Sequence, residues 1–473
     1  MKNKWFKNII DSVAERGREL LGLDNDESNK QNIHTLCKQL LSGRGEASGI
    51  ALSQEILHLY SNMPDEEKLI FFQMLAQEFD PNIDQLQTAM NKYLESNSAE
   101  DLIKLNTAVE APRQELFRRL NMAPHGTASL VGLRADLLRV LKVNPALKSV
   151  DADLKHLFSS WFNRGFLQLH SIDWRSPAHI LEKLINYESV HEIHGWNDLR
   201  RRLMKDRRCF AFFHPAMPEE PLIFIEIAFV QGLSKEVASL IDPKAPELDP
   251  KLADSAIFYS INNTQVGLRG ISFGNFLIKQ VLTECADEFP WVKISSTLSP
   301  IPSFASSIRK WLKGESHKEN THIFDEILQK HRELLEQLST KHGLDSMKSD
   351  KELLETLLDT QLNRDNNELS VILCDLALVY LTHPDKNGKL ADPVAMFHLS
   401  NGARLEHINT FADMSPHGMS TSYGMMVNYL YDMKDVESNH EAFVSNGQVM
   451  LSDALRVKIR KLKNRKIMER SSL

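Results

Sequence analysis

Cysteine is scarce in this chain: four thiols in 473 residues, at Cys37, Cys209, Cys285 and Cys374, with no Cys-x-x-Cys pair. That spacing argues against a disulfide scaffold and against a cysteine-rich zinc site, and it fits a reducing compartment. Long apolar runs are missing too. The most apolar stretches, 221–230 and 370–381, are interrupted by Glu226 and Asp375 and fall short of the roughly 20 apolar residues that cross a bilayer. They read as buried strand or helix, and no stable membrane insertion is expected. Nor is there an excess of positive charge. Lys+Arg 56 against Asp+Glu 63 gives a formal net charge of −7, so no global field draws the protein to nucleic acid. The histidines His214, His383, His407 and His417 are dispersed, without the i,i+4 or carboxylate spacing of a metal site.

What is present is the composition of a folded protein, 42% hydrophobic and 25% charged, long enough for two or three domains. Residues 1–23 are basic but lack the apolar core and small-residue cleavage site of a secretory signal. Trp5, Ile9, Ile10, Val13, Leu20 and Leu21 follow helical spacing there, either as an amphipathic surface helix or as a segment for membrane-surface contact or organelle import. The last three residues, Ser471-Ser472-Leu473, lack the lysine of a Ser-Lys-Leu address.

From about 30 to 145 apolar residues recur at three- and four-residue intervals, and Gly and Pro gather at the breaks: Pro64, Pro81, Pro112, Pro124-His125-Gly126 and Pro145. This predicts an all-α helical bundle. After about 155 the pattern changes. Strands are predicted at 210–213, 221–230, 256–262 and 292–298, a helix at 276–289, and a hairpin pairing 394–399 with 403–409 through Ser400-Asn401-Gly402. Strands alternating with helices give an α+β chain. A helical domain is expected over 1–155, then a mixed α/β domain over 156–473 with a charged helical excursion at about 314–370. The basic run 456–470 reads as a solvated helix end or as a contact for an anion or partner.

Three segments carry chemistry. Thr264 to Asn275 (TQVGLRGISFGN) lies between a predicted strand and a predicted helix. Glycines there let the backbone approach a phosphate closely, and a helix N-terminus supplies partial positive charge; simple turn chemistry is the other reading. No Gly-Lys-Ser/Thr follows, so it is not a P-loop. Arg269-Gly-Ile-Ser-Phe-Gly274 approximates the Arg/Gln-x-x-Gly-x-Gly/Ala pyrophosphate loop of GCN5-related acetyltransferases, with Ser272 in place of the middle glycine. In SSTLSPIPSF, Ser299 closes a strand beside the rigid Pro300-Ile-Pro302 turn. Its hydroxyl is either presented to a pocket or caps the helix beginning near Phe304. His398, in an apolar stretch, is a hydrogen-bonded core residue or a general acid.

Together these segments resemble the malonyl-CoA decarboxylase family. The resemblance includes FYSINNTQVGLRGISFGNFLIKQVL, SSTLSPIPSF, PVAMFHLSNGARLEHIN, HPAMPEEPLIFIEIAF and 418–431, with 126–141 and 161–169 upstream, and it spans roughly 40 to 432. It implies a helical N-terminal domain, an acetyltransferase-like catalytic domain, and conversion of malonyl-CoA to acetyl-CoA and CO₂. It implies no metal and no biotin, coenzyme A being part of the substrate. By resemblance the active-site pair is Ser299 and His398, and the CoA loop is Arg269, Gly270, Ile271, Ser272, Phe273, Gly274 and Asn275. Ser260 and Tyr431 match family positions as supporting residues.

Loss of CO₂ leaves the enolate of the acetyl thioester, and groups that stabilise its oxygen lower the barrier. Backbone amides beside the loop are the expected donors, with Ser299 on the departing carboxylate and His398 protonating the α-carbon. Ser272 departs from the carboxylate that other members carry, which changes the loop's electrostatics. The few cysteines argue against the intersubunit disulfides of some relatives. A homo-oligomer (dimer or tetramer) and a bacterial-type cytoplasmic enzyme are expected. A CoA-dependent acyltransferase of the same fold, or a non-catalytic CoA-binding scaffold, is the alternative.

Overall fold

The computed structural model describes residues 32–42, 45–271, 273, 277–315, 321–344, 349–360, 368–384 and 389–463. The amphipathic pattern of 1–23, the far end of the basic run and Ser471-Ser472-Leu473 lie outside them. The chain divides into two compact units. One comprises Met1–Gln168, Phe212–Leu222 and Asn263–Gly274; the other comprises Leu169–Ala211, Ile223–Asn262 and Asn275–Leu473.

The first unit is helical. Its helices run Ile33–Leu41, Glu46–Ser61, Asp65–Gln77, Ile83–Ser96, Ala99–Val109, Pro112–Leu120, Gly126–Val140 and Lys148–Trp161. Local chemistry sets the breaks. Asn82 and Ser98 cap two helix starts, accepting from the amides of Gln85 and Asp101, and Asn97 adopts a left-handed conformation between them. Pro112 begins its helix at a position where no amide is needed. Phe71, Phe72, Leu116, Phe117, Leu137 and Phe158 fill the core. The pair Ile83–Ser96 and Ala99–Val109 is different, because neither helix buries a single residue. Ile83, Leu94 and Ile103 are 76%, 71% and 66% exposed.

The second unit is built on a mixed sheet of β1 (Gln168–Ile172), β2 (Arg207–Phe213), β3 (Ile223–Val230), β4 (Ser255–Asn263), β5 (Ile294–Thr297), β6 (Ser299–Pro300), β7 (Arg404–Asn409) and β8 (Met426–Leu430). The order is β1-β2-β3-β4-β5-β8-β6, with β7 also on β8. β4 and β5 are parallel, Phe258 facing Thr297, and the helix Leu277–Glu288 lies in the connection between them, as parallel pairing requires. β8 runs antiparallel to β5, β6 and β7. Ala228, Leu240, Ile257, Tyr259, Leu298 and Met426 share one buried cluster. The architecture is α+β.

One expected element is overturned. Residues 393–400 form a helix, Pro393–Ser400, and no hairpin joins them to β7. Asp392 caps it by accepting from the amides of Val394 and Ala395, and Pro393 opens it. Gly402 closes it with φ +82°, where an added Cβ would meet the Val436 carbonyl oxygen at 1.9 Å. The apolar string hid this helix because Phe397 is 41% exposed, so the buried set Ala395, His398 and Leu399 is masked by an apolar residue facing out.

The charged excursion is helical: Thr321–Lys330, Arg332–Lys341 and Asp350–Thr360. The apolar stretch at 370–381 lies in the helix Glu368–Thr382, and its Asp375 meets His331 at 2.9 Å and Lys458 at 2.8 Å. Among the described residues no helix is long and apolar enough to cross a membrane.

Candidate active site

Strand alternation in β5 and β6 decides what Ser299 faces. Leu298 joins the apolar cluster under the sheet, so its neighbour Ser299 projects to the other side. Ser299 pairs with Val427, and Pro300 with Met426, which ends the short strand. The helix starting at Phe304 has Ser303, not Ser299, at its N-cap.

The helix Pro393–Ser400 brings His398 to that hydroxyl. His398 Nε2 lies 3.0 Å from Ser299 Oγ, and His398 Nδ1 lies 2.8 Å from the Tyr431 hydroxyl. The three residues sit 99 and 33 positions apart in sequence. All are buried, at 6%, 2% and 3% exposure for Ser299, His398 and Tyr431. Tyr429 stacks on the imidazole, with ring centres 4.6 Å apart and an interplanar angle of 24°. Burial pushes the His398 imidazole down to about 3, so it is neutral near neutral pH, and burial holds the Tyr431 phenol well above its ordinary value. A neutral imidazole between two hydroxyls can accept on one nitrogen and donate from the other.

Sequence reasoning missed the ring's surroundings. Thr297 Oγ1 is 2.9 Å from Ser299 Oγ and accepts from the Tyr429 amide at 3.2 Å. Asn428 Nδ2 donates to the Thr297 carbonyl at 2.8 Å, and Asn409 Nδ2 donates to Asn428 Oδ1 at 2.7 Å. Tyr429 lies on β8 and Tyr431 one residue past its end, where its amide still donates to the Ser295 carbonyl at 2.8 Å, so their two-residue spacing on extended backbone was a usable signal.

Ser260 is held elsewhere. Its hydroxyl donates to the Glu188 carboxylate at 3.0 and 2.7 Å and accepts from Asn262 at 2.7 Å. Among the described residues it bonds to no member of the Ser299–His398–Tyr431 line.

The glycine-bearing turn belongs to the helical unit. Gly267 packs against the helix Gly126–Val140, where an added Cβ would lie 1.9 Å from the Val131 carbonyl oxygen. Arg134, on that helix and 2% exposed, donates to the carbonyls of Gly267 at 2.7 Å and Arg269 at 3.0 Å while pairing with Asp151. Gly270 turns at φ +76°, a conformation that favours glycine, with Lys155 Nζ 3.6 Å from where a Cβ would stand. Ile271 and Phe273 are buried; Ser272, Gly274 and Asn275 lie outside the described residues. Gly270-Ile-Ser-Phe-Gly274 also spells Gly-x-Ser-x-Gly, the pattern of a hydrolase nucleophile elbow. Among the described residues, however, the serine with a histidine on it is Ser299. No group of three or more His, Cys, Asp or Glu among them is arranged to hold a metal.

Comparison with known proteins gives one answer. The model of the malonyl-CoA decarboxylase C-terminal domain matches residues 165–469, and that of the malonyl-CoA decarboxylase N-terminal domain matches 79–162. The crystal structure of malonyl-CoA decarboxylase from Rhodopseudomonas palustris is similar at 45% identity and a TM-score of 0.79, over 90% of this chain and 98% of that one. The enzyme structure from Agrobacterium vitis is similar at 43% identity and a TM-score of 0.78, over 90% and 99%. The mitochondrial malonyl-CoA decarboxylase of Anser anser anser is 36% identical over 349 residues, 72% of this chain and 67% of that protein. The chain therefore belongs to the malonyl-CoA decarboxylase family.

Proposed function

We propose that this protein decarboxylates malonyl-CoA to acetyl-CoA and CO₂, with Ser299 and His398 as the reacting pair. The observation that carries the reading is the buried Ser299–His398–Tyr431 line, in a chain whose family relatives bear that name.

A phenol as deeply buried as Tyr431 keeps its proton, and among the described residues its one hydrogen-bond partner is His398 Nδ1. Donating there leaves the imidazole proton on Nε2, facing Ser299. Ser299 holds the malonyl carboxylate by hydrogen bonding. The carboxylate's charge favours protonation of the imidazole it approaches; the added proton sits on Nδ1, and the Tyr431 hydroxyl then turns from donor to acceptor there. The Cα–carboxyl bond then breaks, its electron pair moves into the thioester as an enolate, and CO₂ departs. A proton from His398 Nε2, directly or through Ser299, adds to the α-carbon, and the enolate collapses to the acetyl thioester. One proton is consumed per turnover. A dry pocket favours neutral CO₂ over the carboxylate. The scheme uses these side chains with coenzyme A as part of the substrate. The turn at Arg269–Asn275 takes the CoA pyrophosphate, with Arg269 as its cation.

Incubation of purified protein with malonyl-CoA and no acceptor amine tests this. Acetyl-CoA and CO₂ in equal amounts are expected. Turnover appearing solely when an amine is added would make the protein an acyltransferase, and CoA binding without turnover would make it a scaffold. We read the exposed faces of Ile83–Ser96 and Ala99–Val109 as covered by a second copy, because solvent otherwise meets Ile83, Leu94 and Ile103. Light scattering should give a dimer or tetramer, and a monomer that survives concentration would refute it. Four unpaired cysteines fit a reducing compartment, which we take to be the cytoplasm.

A further inference from the structure

We propose that Thr297 is a positioning residue that turns the Ser299 hydroxyl proton toward the substrate. The inference rests on the Ser299–His398 reading above and extends it to a residue outside the pair.

The geometry is a chain of hydroxyls with defined ends. Thr297 Oγ1 has two hydrogen-bond partners among the described residues, the Tyr429 amide at 3.2 Å and Ser299 Oγ at 2.9 Å. The amide is a donor, and in the structure the Ser299 hydroxyl donates to the same oxygen. Two hydroxyls can exchange that sense, and once a ligand oxygen takes the serine hydrogen, the single hydrogen of Thr297 has Ser299 Oγ as its acceptor. At the other end the Tyr431 hydroxyl has one partner, His398 Nδ1 at 2.8 Å. Its donation leaves Nε2–H pointing at Ser299 Oγ, 3.0 Å away. Donation therefore converges from both ends on the serine oxygen, which has two lone pairs to receive it. The serine's own hydrogen then has no acceptor left within the line and is free for a ligand oxygen. The Ser299 hydrogen otherwise lies on Thr297 Oγ1, the sense seen in the structure; a substrate carboxylate selects the converging arrangement.

Thr297 is built to hold that orientation. It is fully buried. Its backbone sits in β5 opposite Phe258, and its carbonyl accepts from Asn428 Nδ2, while the same amide group also donates to the Ser234 carbonyl at 3.1 Å. Asn428 in turn accepts from Asn409. These bonds fix the backbone on both sides of the Thr297 side chain, and its hydroxyl contacts Ser299 Oγ and the Tyr429 amide.

The test compares Thr297→Val, which keeps the shape and removes the hydroxyl, with Thr297→Ser, which keeps the hydroxyl and removes a methyl. With malonyl-CoA as substrate, Thr297→Val should lower kcat roughly ten- to hundredfold, less than the roughly hundred- to thousandfold lost when a donor to the reacting atoms is itself removed, because Thr297 acts through Ser299. KM should stay within about threefold, and Thr297→Ser should recover kcat to within about threefold. In a Ser299→Ala background Thr297→Val should cost nothing further, because its partner is already gone. Full kcat in Thr297→Val, equal loss in the serine variant, or multiplication of the two losses in the double variant would each overturn the proposal. If the valine variant does not fold, Thr297→Ala in the same comparison carries the same expectations. Wild-type turnover in Ser299→Ala alone would instead remove the reading of the pair itself.

Discussion

Lowering the pH should destabilise this protein through His398 in particular. Burial drops the imidazole from an ordinary 6.5 to about 3 in the folded chain, while the unfolded chain keeps the ordinary value. Above about pH 6.5 both states hold a neutral ring and the group contributes no pH dependence. As pH falls below that value the unfolded chain takes up a proton that the folded chain refuses, so stability is lost progressively until the folded value is reached. At pH 5 the difference spans about 1.5 pH units, or about 2 kcal/mol at 1.36 kcal/mol per unit. Urea unfolding of the wild type and of His398→Asn at pH 7.5 and pH 5 isolates this contribution, because other titrating groups are common to both. The wild type should lose about 2 kcal/mol more than the variant over that interval. Equal losses would mean that His398 is not held neutral by burial, and the picture of an imidazole charged by its substrate would fall with it.

Other substitutions probe the remaining parts. Tyr431→Phe removes the donor on His398 Nδ1, so kcat should fall about tenfold or more, and the unpaired buried nitrogen should cost about 1–2 kcal/mol in unfolding; unchanged kcat would show that the tautomer does not matter. Gly402→Ala places a methyl against the Val436 carbonyl at a positive φ. It should lower stability by about 2 kcal/mol or more and reduce activity by moving the helix that carries His398, and a variant with wild-type melting would contradict that. Arg269→Ala should weaken CoA binding measured by calorimetry several-fold with little change in kcat, and an unchanged Kd would remove the turn from the binding site.

Much of the architecture was legible because helices and strands leave local patterns. The bundle followed from apolar spacing broken by Pro64, Pro112 and Pro124, and β2, β3, β4 and β5 from runs of branched and aromatic residues. The helix Pro393–Ser400 was misjudged because its signals were at its ends, Asp392-Pro393 and Gly402, while an apolar Phe397 on its open side erased the periodicity between. Of the candidate site, Ser299 and His398 were legible as candidates from their local context, each with a structural alternative, and the family resemblance named them as a pair, but their 3.0 Å contact could not be read from residues 99 apart. Tyr431 was named, but its bond to Nδ1 depends on β8 pairing with β5 and β6. Thr297 and Asn428 left no mark in the sequence, since an ordinary strand threonine and a buried asparagine acquire meaning through long-range partners. Ser260, matched by position, makes its hydrogen bonds to Glu188 and Asn262 instead.

The most direct measurement is CO₂ release from malonyl-CoA by wild type, Ser299→Ala and His398→Asn at matched folded concentration. If these side chains hold the carboxylate and return the proton, each variant should lose roughly a hundred- to ten-thousandfold in kcat, the span expected for acid–base groups, with a much smaller change in CoA affinity. Near-wild-type release by both variants would contradict the assignment of the reaction to this buried pair.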